Sequence, residues 1–385
     1  MRRILQRAPI VYNGLGTPRL DGALLVQEAL GSRTVVAVGD GDELQDAYPD
    51  AELRHEPFAL SPAPVNAHTH LDLTGMPLSD GSYEEFIPAV IAHGRSGGRT
   101  LASAELGVRE LLAAGTTVVG DIVTREEVMR HLLEHPTLRG VAYWEVLGPD
   151  PDDADRILAE TKERLAAFRE LERPDGMRVG LSPHTPHTVS AELLRRLAAL
   201  AQQWRLPMQI HVAESPAEIG LHRDGRGPLA RAISEFLPSW NPSGSTPVGY
   251  LDSLGVLAAA PTLVHMVHVS EADVAIVQRN GCSVVHCPRS NIALECGRFP
   301  WELYARHGVS VALGTDSRGS SPSLAIEDEV ATALRLHGGK AGAQALVRAA
   351  VKGGHRALGL TPPRFLRGDD ASAVHSWRVP AGADE

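Results

Sequence analysis

Short apolar runs alternate along this chain with longer segments that have a helical period. Eight runs rich in β-branched residues have the length of buried strands, and they begin near residues 62, 116, 139, 177, 206, 262, 282 and 309. The segments between them, such as SAELLRRLAALAQQW at 190–204, place apolar residues three and four positions apart, as on one face of a helix. This order predicts an α/β fold in which eight strands close into a (β/α)8 TIM barrel.

The two ends of the chain lack this alternation. Residues 1–60 and 350–385 contain short β-rich pieces and turn residues without a helical period. We therefore expect the two ends to form one small β domain, with the barrel at 61–349. The Pro- and Gly-rich segment 239–250 is longer than a usual connection, and we expect it at the mouth of the barrel, over the active site.

Composition restricts the classes of protein to which the chain can belong. The net charge is −10, from 47 acidic and 37 basic residues without long runs of either sign, which argues against a nucleic-acid surface. No stretch approaches the roughly 18 apolar residues of a membrane span. The three cysteines form neither a CxxC pair nor an even set, which is typical of a reducing compartment. We expect a cytoplasmic protein that binds neither nucleic acid nor membrane.

Polar residues recur at the carboxyl ends of the predicted strands, where barrel enzymes have their active sites. His68 and His70 follow the first strand, and side chains separated by one residue project to the same side of an extended segment. His211 ends the fifth strand and Asp316 the eighth. Three imidazoles and one carboxylate suit Zn²⁺, and Fe²⁺ or Mn²⁺ would accept the same donors. The pattern predicts a metal site that leaves a position for water.

The lysines of the chain bear on the number of metal ions. Binuclear sites of this kind usually have a bridging lysine at the end of a strand. The only lysines here are Lys162, Lys340 and Lys352, all in helical or loop segments. One divalent metal ion is therefore predicted at this site.

Two further residues are candidates for moving protons. Glu214 stands three residues after His211, and His265 ends the sixth strand. Together with Asp316 they would flank a water activated by the metal, where a base can remove a proton and a carboxyl can deliver one. One histidine among 17 is more often a surface or core residue than a ligand. Candidates at the ends of several strands are much harder to explain by packing.

Other polar and aromatic residues near the strand ends could line a pocket. From the residues alone, the candidates are His184 and His187 in SPHTPH, Trp144 with Glu145, and Arg289 and Asn291 in HCPRSN. The chain lacks the GxxxxGK[ST], GxGxxG, HExxH and GxSxG motifs, which argues against nucleotide-binding, zincin and serine-hydrolase sites.

The segments NAHTHLD, HVAES, LVHMVHVS, VVHCPRSN and LGTDS occur in this order between about 60 and 345. In this respect the chain resembles the amidohydrolase superfamily, in its aminohydrolase and chlorohydrolase branch. The resemblance implies that His68, His70, His211 and Asp316 bind the metal. It also implies that Glu214 carries the proton to a ring nitrogen and that His265 orients and deprotonates the water.

In that branch the typical reaction is hydrolytic deamination of a heterocyclic ring. The pattern is most similar to the 6-aminodeoxyfutalosine deaminases of menaquinone biosynthesis, and the resemblance would bring His184 to the sugar. Arg95 stands near the place where relatives often have a ribose-binding Glu, so sugar recognition can differ. We expect Arg95 and Arg99 near the carboxylate of such a substrate, with Phe86 and Trp144 as apolar walls.

Other functions stay open at this point. A deaminase or chlorohydrolase for another nucleoside, nucleobase or triazine would use the same metal and a different pocket. A barrel without catalysis that serves as a binding protein is a second alternative, although Glu214, His265 and all four ligands are present. The expected ligand is a small heterocyclic amine, and the residues leave homo-oligomer formation undecided.

Overall fold

The computed structural model describes residues 2–29, 31–79, 81–237 and 240–378. Its strands in chain order are β1 (Arg2–Val11), β2 (Arg19–Ala29), β3 (Ser32–Asp40), β4 (Glu52–His55), β5 (Ala59–Pro62), β6 (Val65–His70), β7 (Val118–Val123), β8 (Arg139–Val146), β9 (Met177–Pro183), β10 (Gln209–Val212), β11 (Thr262–His265), β12 (Ser283–His286), β13 (Val311–Leu313), β14 (Asp316–Ser317) and β15 (Val374–Ser376).

Helices occupy most of the connections. They are α1 (Gly41–Ala47), α2 (Tyr83–Arg95), α3 (Leu101–Ala113), α4 (Glu126–Glu134), α5 (Ala154–Arg169), α6 (Ala191–Trp204), α7 (Pro216–Asp224), α8 (Pro228–Ala232), α9 (Pro247–Ser253), α10 (Glu271–Arg279), α11 (Pro288–Ala293), α12 (Trp301–His307), α13 (Ile326–His337), α14 (Ala343–Arg348) and α15 (Gly354–Ala357). Within the described ranges, no helix is both long enough and apolar enough to cross a membrane.

The middle of the chain is a series of parallel strands that alternate with helices. Strands β6 to β9 pair in order, as do β10 to β13. A parallel bridge from Leu181 to Met208 joins β9 to the residue before β10, and β14 pairs with β6. Each of the eight predicted strands is present, the last one divided into β13 and β14. These strands are almost wholly buried, which explains their continuous apolar sequences, since parallel strands have both faces covered.

A second sheet combines both ends of the chain. Strands β1, β2 and β3 are antiparallel neighbours, while β4 and β5 pair with β1 in parallel. From the other end of the chain, β15 pairs with β5. Trp377 fixes this contact because its ring is fully buried and its indole N–H donates to Ser61 Oγ at 2.7 Å. The ends therefore meet in one β-sheet.

The segment after residue 348 begins with helix rather than with strands and turns. A π-helical turn covers Ala349–Gly353, and α15 follows it directly. Gly353 lies so close to β13 that an added Cβ would be 2.0 Å from the carbonyl oxygen of Val311, and a Cβ on Gly354 would be 2.4 Å from the side chain of Val65. The helical period was missed because both elements are shorter than the windows in which a period can be recognised.

We expect Gly353→Ala to lower the free energy of unfolding by roughly 1–3 kcal/mol, because the new methyl group must displace the backbone of β13. Gly94→Ala is the matched control, since Gly94 lies in α2 and the nearest atom to its added Cβ is 3.7 Å away. That change should be neutral or stabilise the protein by up to about 1 kcal/mol. Chemical denaturation of both variants checks this, and equal stabilities would contradict the close approach of the helix.

Candidate metal centre

A cavity opens at the carboxyl ends of the parallel strands. It is lined by His70, Leu73, Tyr83, Phe86, Ile87, Val90, Arg99, Glu145, His184, Thr185, His211, Glu214, His265, Asp316 and Ser317. Several non-glycine residues at these strand ends have a left-handed backbone, among them Ala213 (φ 52°), His265 (φ 69°) and Asp316 (φ 58°). Such conformations cost free energy and concentrate at functional sites.

The predicted metal ligands converge on one point of this cavity. His70 Nε2 lies 3.4 Å from His211 Nε2 and 3.5 Å from Asp316 Oδ1. His68 Nε2 lies 3.6 Å from the same Asp316 oxygen. A tetrahedral zinc ion with bonds of about 2.0–2.1 Å holds its donors about 3.3–3.4 Å apart. The separations therefore fit a single divalent ion among these four side chains.

Hydrogen bonds on the far side of two imidazoles fix the atoms that face this point. His68 Nδ1 lies 2.6 Å from Gln209 Oε1, and the Gln209 amide donates to Ala67 O at 3.1 Å. The Gln209 oxygen is thus the acceptor, so His68 carries its proton on Nδ1. His211 Nδ1 likewise donates to His184 O at 3.0 Å. Both Nε2 lone pairs are free for a metal, and buried His68 Nε2 has no hydrogen bond within the described part of the chain.

The Asp316 carboxylate is oriented by neighbouring hydroxyls. Its Oδ2 accepts hydrogen bonds from Ser290 Oγ at 2.6 Å and Ser320 Oγ at 3.1 Å. The other oxygen, Oδ1, faces the histidines and accepts from the Ser317 N–H at 2.7 Å. These bonds hold the carboxylate in place without using the lone pairs that point toward the imidazoles.

Glu214 and His265 lie next to each other beside the ligand group, with 3.4 Å between Glu214 Oε1 and His265 Nε2. Burial, the nearby Asp316 and Glu218 raise the pKa of Glu214 well above its usual value, although a hydrogen bond from Tyr83 acts in the opposite direction. Burial lowers the pKa of His265 to about 4. The environment therefore favours a protonated carboxyl on Glu214, which can donate a proton, and a neutral imidazole on His265, which can accept one.

The orientation of His265 depends on a residue of α11. His265 Nδ1 lies 3.0 Å from Asn291 Oδ1, and the Asn291 amide nitrogen lies 3.4 Å from His286 Nδ1. With the oxygen of Asn291 as acceptor, His265 is protonated on Nδ1 and presents an unprotonated Nε2 to the cavity. Asn291 was noted in the sequence as a pocket candidate, but the residue that it contacts could not be read there.

The candidate substrate-binding residues are only partly brought together. Phe86, Glu145 and His184 line the cavity. Trp144 precedes Glu145 on β8 and so points to the other face of the strand, where it packs against Phe168 with ring centroids 5.4 Å apart. Arg95 ends α2, and its guanidinium lies over the ring of Phe236 at 5.1 Å in a separate surface groove. Neither Trp144 nor Arg95 is among the residues that line the cavity.

Arg99 was expected near the substrate and does line the cavity. Two other features were not recognised in the sequence. The first is the bidentate pair of Arg99 with buried Asp72, with both N–O distances at 2.9 Å. Tyr83 lies at the start of α2 and is buried against Glu214. A residue pair 27 positions apart leaves no local pattern, so only the fold shows it.

The part of the Pro- and Gly-rich segment that the structure describes, 240–250, does not line this cavity. Ser239 lies outside the described residues. From Trp240 onward the segment packs on α7, where the Trp240 ring lies 5.0 Å from that of His222. The segment thus covers a helix beside the active site.

Comparison with known proteins agrees with this arrangement. The family model described as "Amidohydrolase family" matches residues 59–372. The aminodeoxyfutalosine deaminase of Deinococcus radiodurans is 44% identical over 96% of this chain and 89% of its own length. A 5-methylthioadenosine/S-adenosylhomocysteine deaminase of Halobacterium salinarum is 31% identical over 94% of this chain and 81% of its own.

Solved structures have the same fold. Aminofutalosine deaminase of Helicobacter pylori, in complex with methylthio-coformycin, matches with a TM-score of 0.75 at 21% identity, covering 98% of this chain and 93% of that one. An adenosine deaminase of Xanthomonas campestris with bound zinc matches with a TM-score of 0.71 at 26% identity. The match covers 96% of this chain and 83% of that one.

We expect His70→Ala and Asp316→Asn each to remove about one equivalent of divalent metal per chain, because each loses a donor from a four-ligand site. His355→Ala is the control, since that buried histidine lies in α15 and its Nδ1 already donates to Val351 O. Elemental analysis after gel filtration checks the result. Full metal content in both ligand variants would show that these side chains do not form the site.

Proposed function

The chain belongs to the amidohydrolase family, and from this premise we propose that it deaminates 6-aminodeoxyfutalosine to futalosine, a step of menaquinone biosynthesis. The family assignment confirms the resemblance read from the sequence. The observation that carries the proposal is the contact of 3.4 Å between Glu214 and His265 beside the four ligands. This arrangement unites a proton donor, a proton acceptor and a metal site in one cavity. It favours a hydrolytic deaminase over a binding protein.

We also infer that the parallel strands form the predicted (β/α)8 barrel. Asp316 pairs with Thr69, and Thr315 donates its N–H to His68 O at 3.1 Å, so the last strand returns to the first. Active sites of such barrels lie at the carboxyl ends of the strands, which is where the cavity opens. The terminal sheet would then be the accessory domain, with boundaries near the predicted 60 and 350.

A divalent metal held by His68, His70, His211 and Asp316 would lower the pKa of a bound water toward neutrality. We assign zinc as the ion because three imidazoles and one carboxylate suit it. His265 takes the proton of the attacking water on its unprotonated Nε2. Asn291 keeps the other nitrogen of that ring protonated and the ring correctly turned.

Glu214 completes the proposed reaction from the other side of the substrate. The water oxygen forms a bond to the carbon that bears the amine, and Glu214 gives its proton to the neighbouring ring nitrogen. The amine then takes up the proton that His265 received, and it leaves as ammonia when its bond to carbon breaks. Glu214 regains a proton from the added hydroxyl, which becomes the carbonyl of the product. The raised pKa of Glu214 supports this role because it favours the protonated carboxyl, which is the form that can donate.

The distal part of the substrate would lie against α2 and the strand ends beside it. Phe86, Ile87 and Val90 offer an apolar wall on α2. For a benzoate group we propose Arg99 as the cation, because its pair with Asp72 uses Nε and Nη2 and leaves Nη1 for a ligand. This role was expected for both Arg95 and Arg99, and we keep it for Arg99 alone because Arg99 lines the cavity and Arg95 lies in a separate groove. His184 and Glu145 would contact the sugar and the adenine-type ring of the substrate.

We expect Glu214→Gln to bind metal normally and to lose turnover by about 10²-fold or more, because the amide keeps the shape of the side chain but has no proton to transfer. Metal analysis and ammonia release, measured on the same preparation, check both statements. A variant with full metal content and a rate near that of the wild type would assign the proton to another residue.

We expect the enzyme to prefer 6-aminodeoxyfutalosine over adenosine, 5-methylthioadenosine, guanine and cytosine by about 10²-fold or more in kcat/KM. The reason is that the apolar wall and the cation of the cavity would bind the benzoate group, which the other substrates lack. Initial rates from ultraviolet absorbance decide the order. Arg99→Met should reduce this preference in kcat/KM. Arg95→Met is the matched control and should leave the preference unchanged. Equal or better turnover of adenosine would overturn the proposed substrate. A preference for 5-methylthioadenosine would favour the activity named for the Halobacterium salinarum relative.

A further inference from the structure

A second group of potential metal ligands is buried behind the cavity. His187 follows β9, whereas Glu218 and His222 lie four residues apart on one face of α7. One potential ligand atom from each of these side chains lies within 4.8 Å of those from the other two. Their exposures are only 3%, 2% and 0%. The group uses no residue of the proposed catalytic machinery.

Each of the three side chains has a buried polar atom without a hydrogen bond among the described residues. The atoms are His187 Nδ1, Glu218 Oε1 and His222 Nε2. A buried polar group without a partner costs free energy, so such groups in proteins almost always find one. Three in a single cluster point to a ligand that is not part of the chain.

The remaining bonds of the cluster leave lone pairs available. Glu218 uses its other oxygen, Oε2, to accept the Glu214 N–H at 2.8 Å. Ser243 Oγ donates to His222 O at 3.3 Å and lies 3.3 Å from His222 Nδ1, so it accepts from that nitrogen and leaves Nε2 unprotonated. Burial also keeps the pKa of His187 well below its usual value, which makes its imidazole neutral. Neutral imidazoles and a carboxylate are what a metal ion needs.

We propose that His187, Glu218 and His222 bind a divalent ion of the zinc type, separate from the catalytic metal. Two imidazoles and one carboxylate form a known zinc ligand set. The positive ion would also remove the cost of a carboxylate that is 2% exposed and has no cationic partner among the described residues. The rings of Trp240 and Tyr250 lie 5.0 and 5.5 Å from that of His222 and shield the cluster.

The ion would join two segments that carry residues of the cavity. His187 belongs to the loop that includes His184 and Thr185, while α7 begins directly after Glu214 and its N-cap Ser215. Glu218 already holds the Glu214 backbone. A metal between loop and helix would therefore stabilise the positions of both, and its role is structural and not catalytic.

The test counts metal in a protein that lacks the catalytic site. His70→Ala, the same variant with His222→Leu, and the same variant with Glu218→Gln are compared for zinc content and for the rise in Tm on adding zinc. His70→Ala with His355→Asn is the matched control, because His355 is another buried histidine outside both groups. Glu218→Gln keeps the side-chain shape if His222→Leu does not fold.

We expect the His70→Ala protein and its His355 control to retain about one equivalent of zinc and to gain stability from zinc, as binding to the folded state requires. Both cluster variants should have lost this metal and the rise in Tm. Equal zinc content and equal Tm responses in all four proteins would overturn the proposal and indicate a buried water in its place. Because no activity is measured, this outcome is independent of the proposed deamination.

Discussion

The hydrogen bonds between the last parallel strand and the first decide where the functional side chains lie. Asp316 pairs with Thr69, and Asn66 both donates to Thr315 Oγ1 at 2.7 Å and accepts its N–H at 3.1 Å. This pairing brings a carboxylate from the end of the series of parallel strands to the two histidines at its start. It also holds Asp316 in a left-handed conformation, which costs an isolated non-glycine residue about 1–2 kcal/mol. Without closure of the strand series, neither the ligand group nor its geometry would exist.

Burial, more than ion pairing, sets the protonation of the site. Both Glu214 and His265 are buried, so the uncharged form of each is favoured, which suits the opposite tasks proposed for the two neighbours. The same desolvation keeps the imidazoles of His70 and His211 neutral, which is the form that binds a metal. Hydrogen bonds with surrounding amides and hydroxyls then determine which nitrogen or oxygen atom of each side chain faces the proposed metal site. The chemistry of the site is thus a property of its low-dielectric environment and of the hydrogen bonds behind it.

Helix α7 links the proposed proton-transfer pair, Glu214 and His265, to the second buried group. It begins at Pro216 after the N-cap Ser215, whose hydroxyl accepts from the Glu218 N–H. Glu218 in turn accepts the Glu214 N–H, so the proposed proton donor is fixed through the first turn of this helix. His222 lies one turn further on, under Trp240. The long connection between β10 and β11 therefore supports the active site from behind instead of closing it from above.

The sequence by itself predicted the strand series, and it predicted four metal ligands and a proton-transfer pair whose side chains the structure brings close together. Buried parallel strands appear as apolar runs, and polar residues at their ends stand out against them; alternation puts His68 and His70 on one side. The same alternation separates Trp144 from Glu145, but only the closed sheet decides which of them faces the cavity. Likewise, Arg99 and Arg95 are equivalent in the sequence until the position of Asp72 and the direction of α2 distinguish them. Local patterns record how each residue is buried, whereas contacts between residues far apart in the chain arise only when the strands pair and the helices pack.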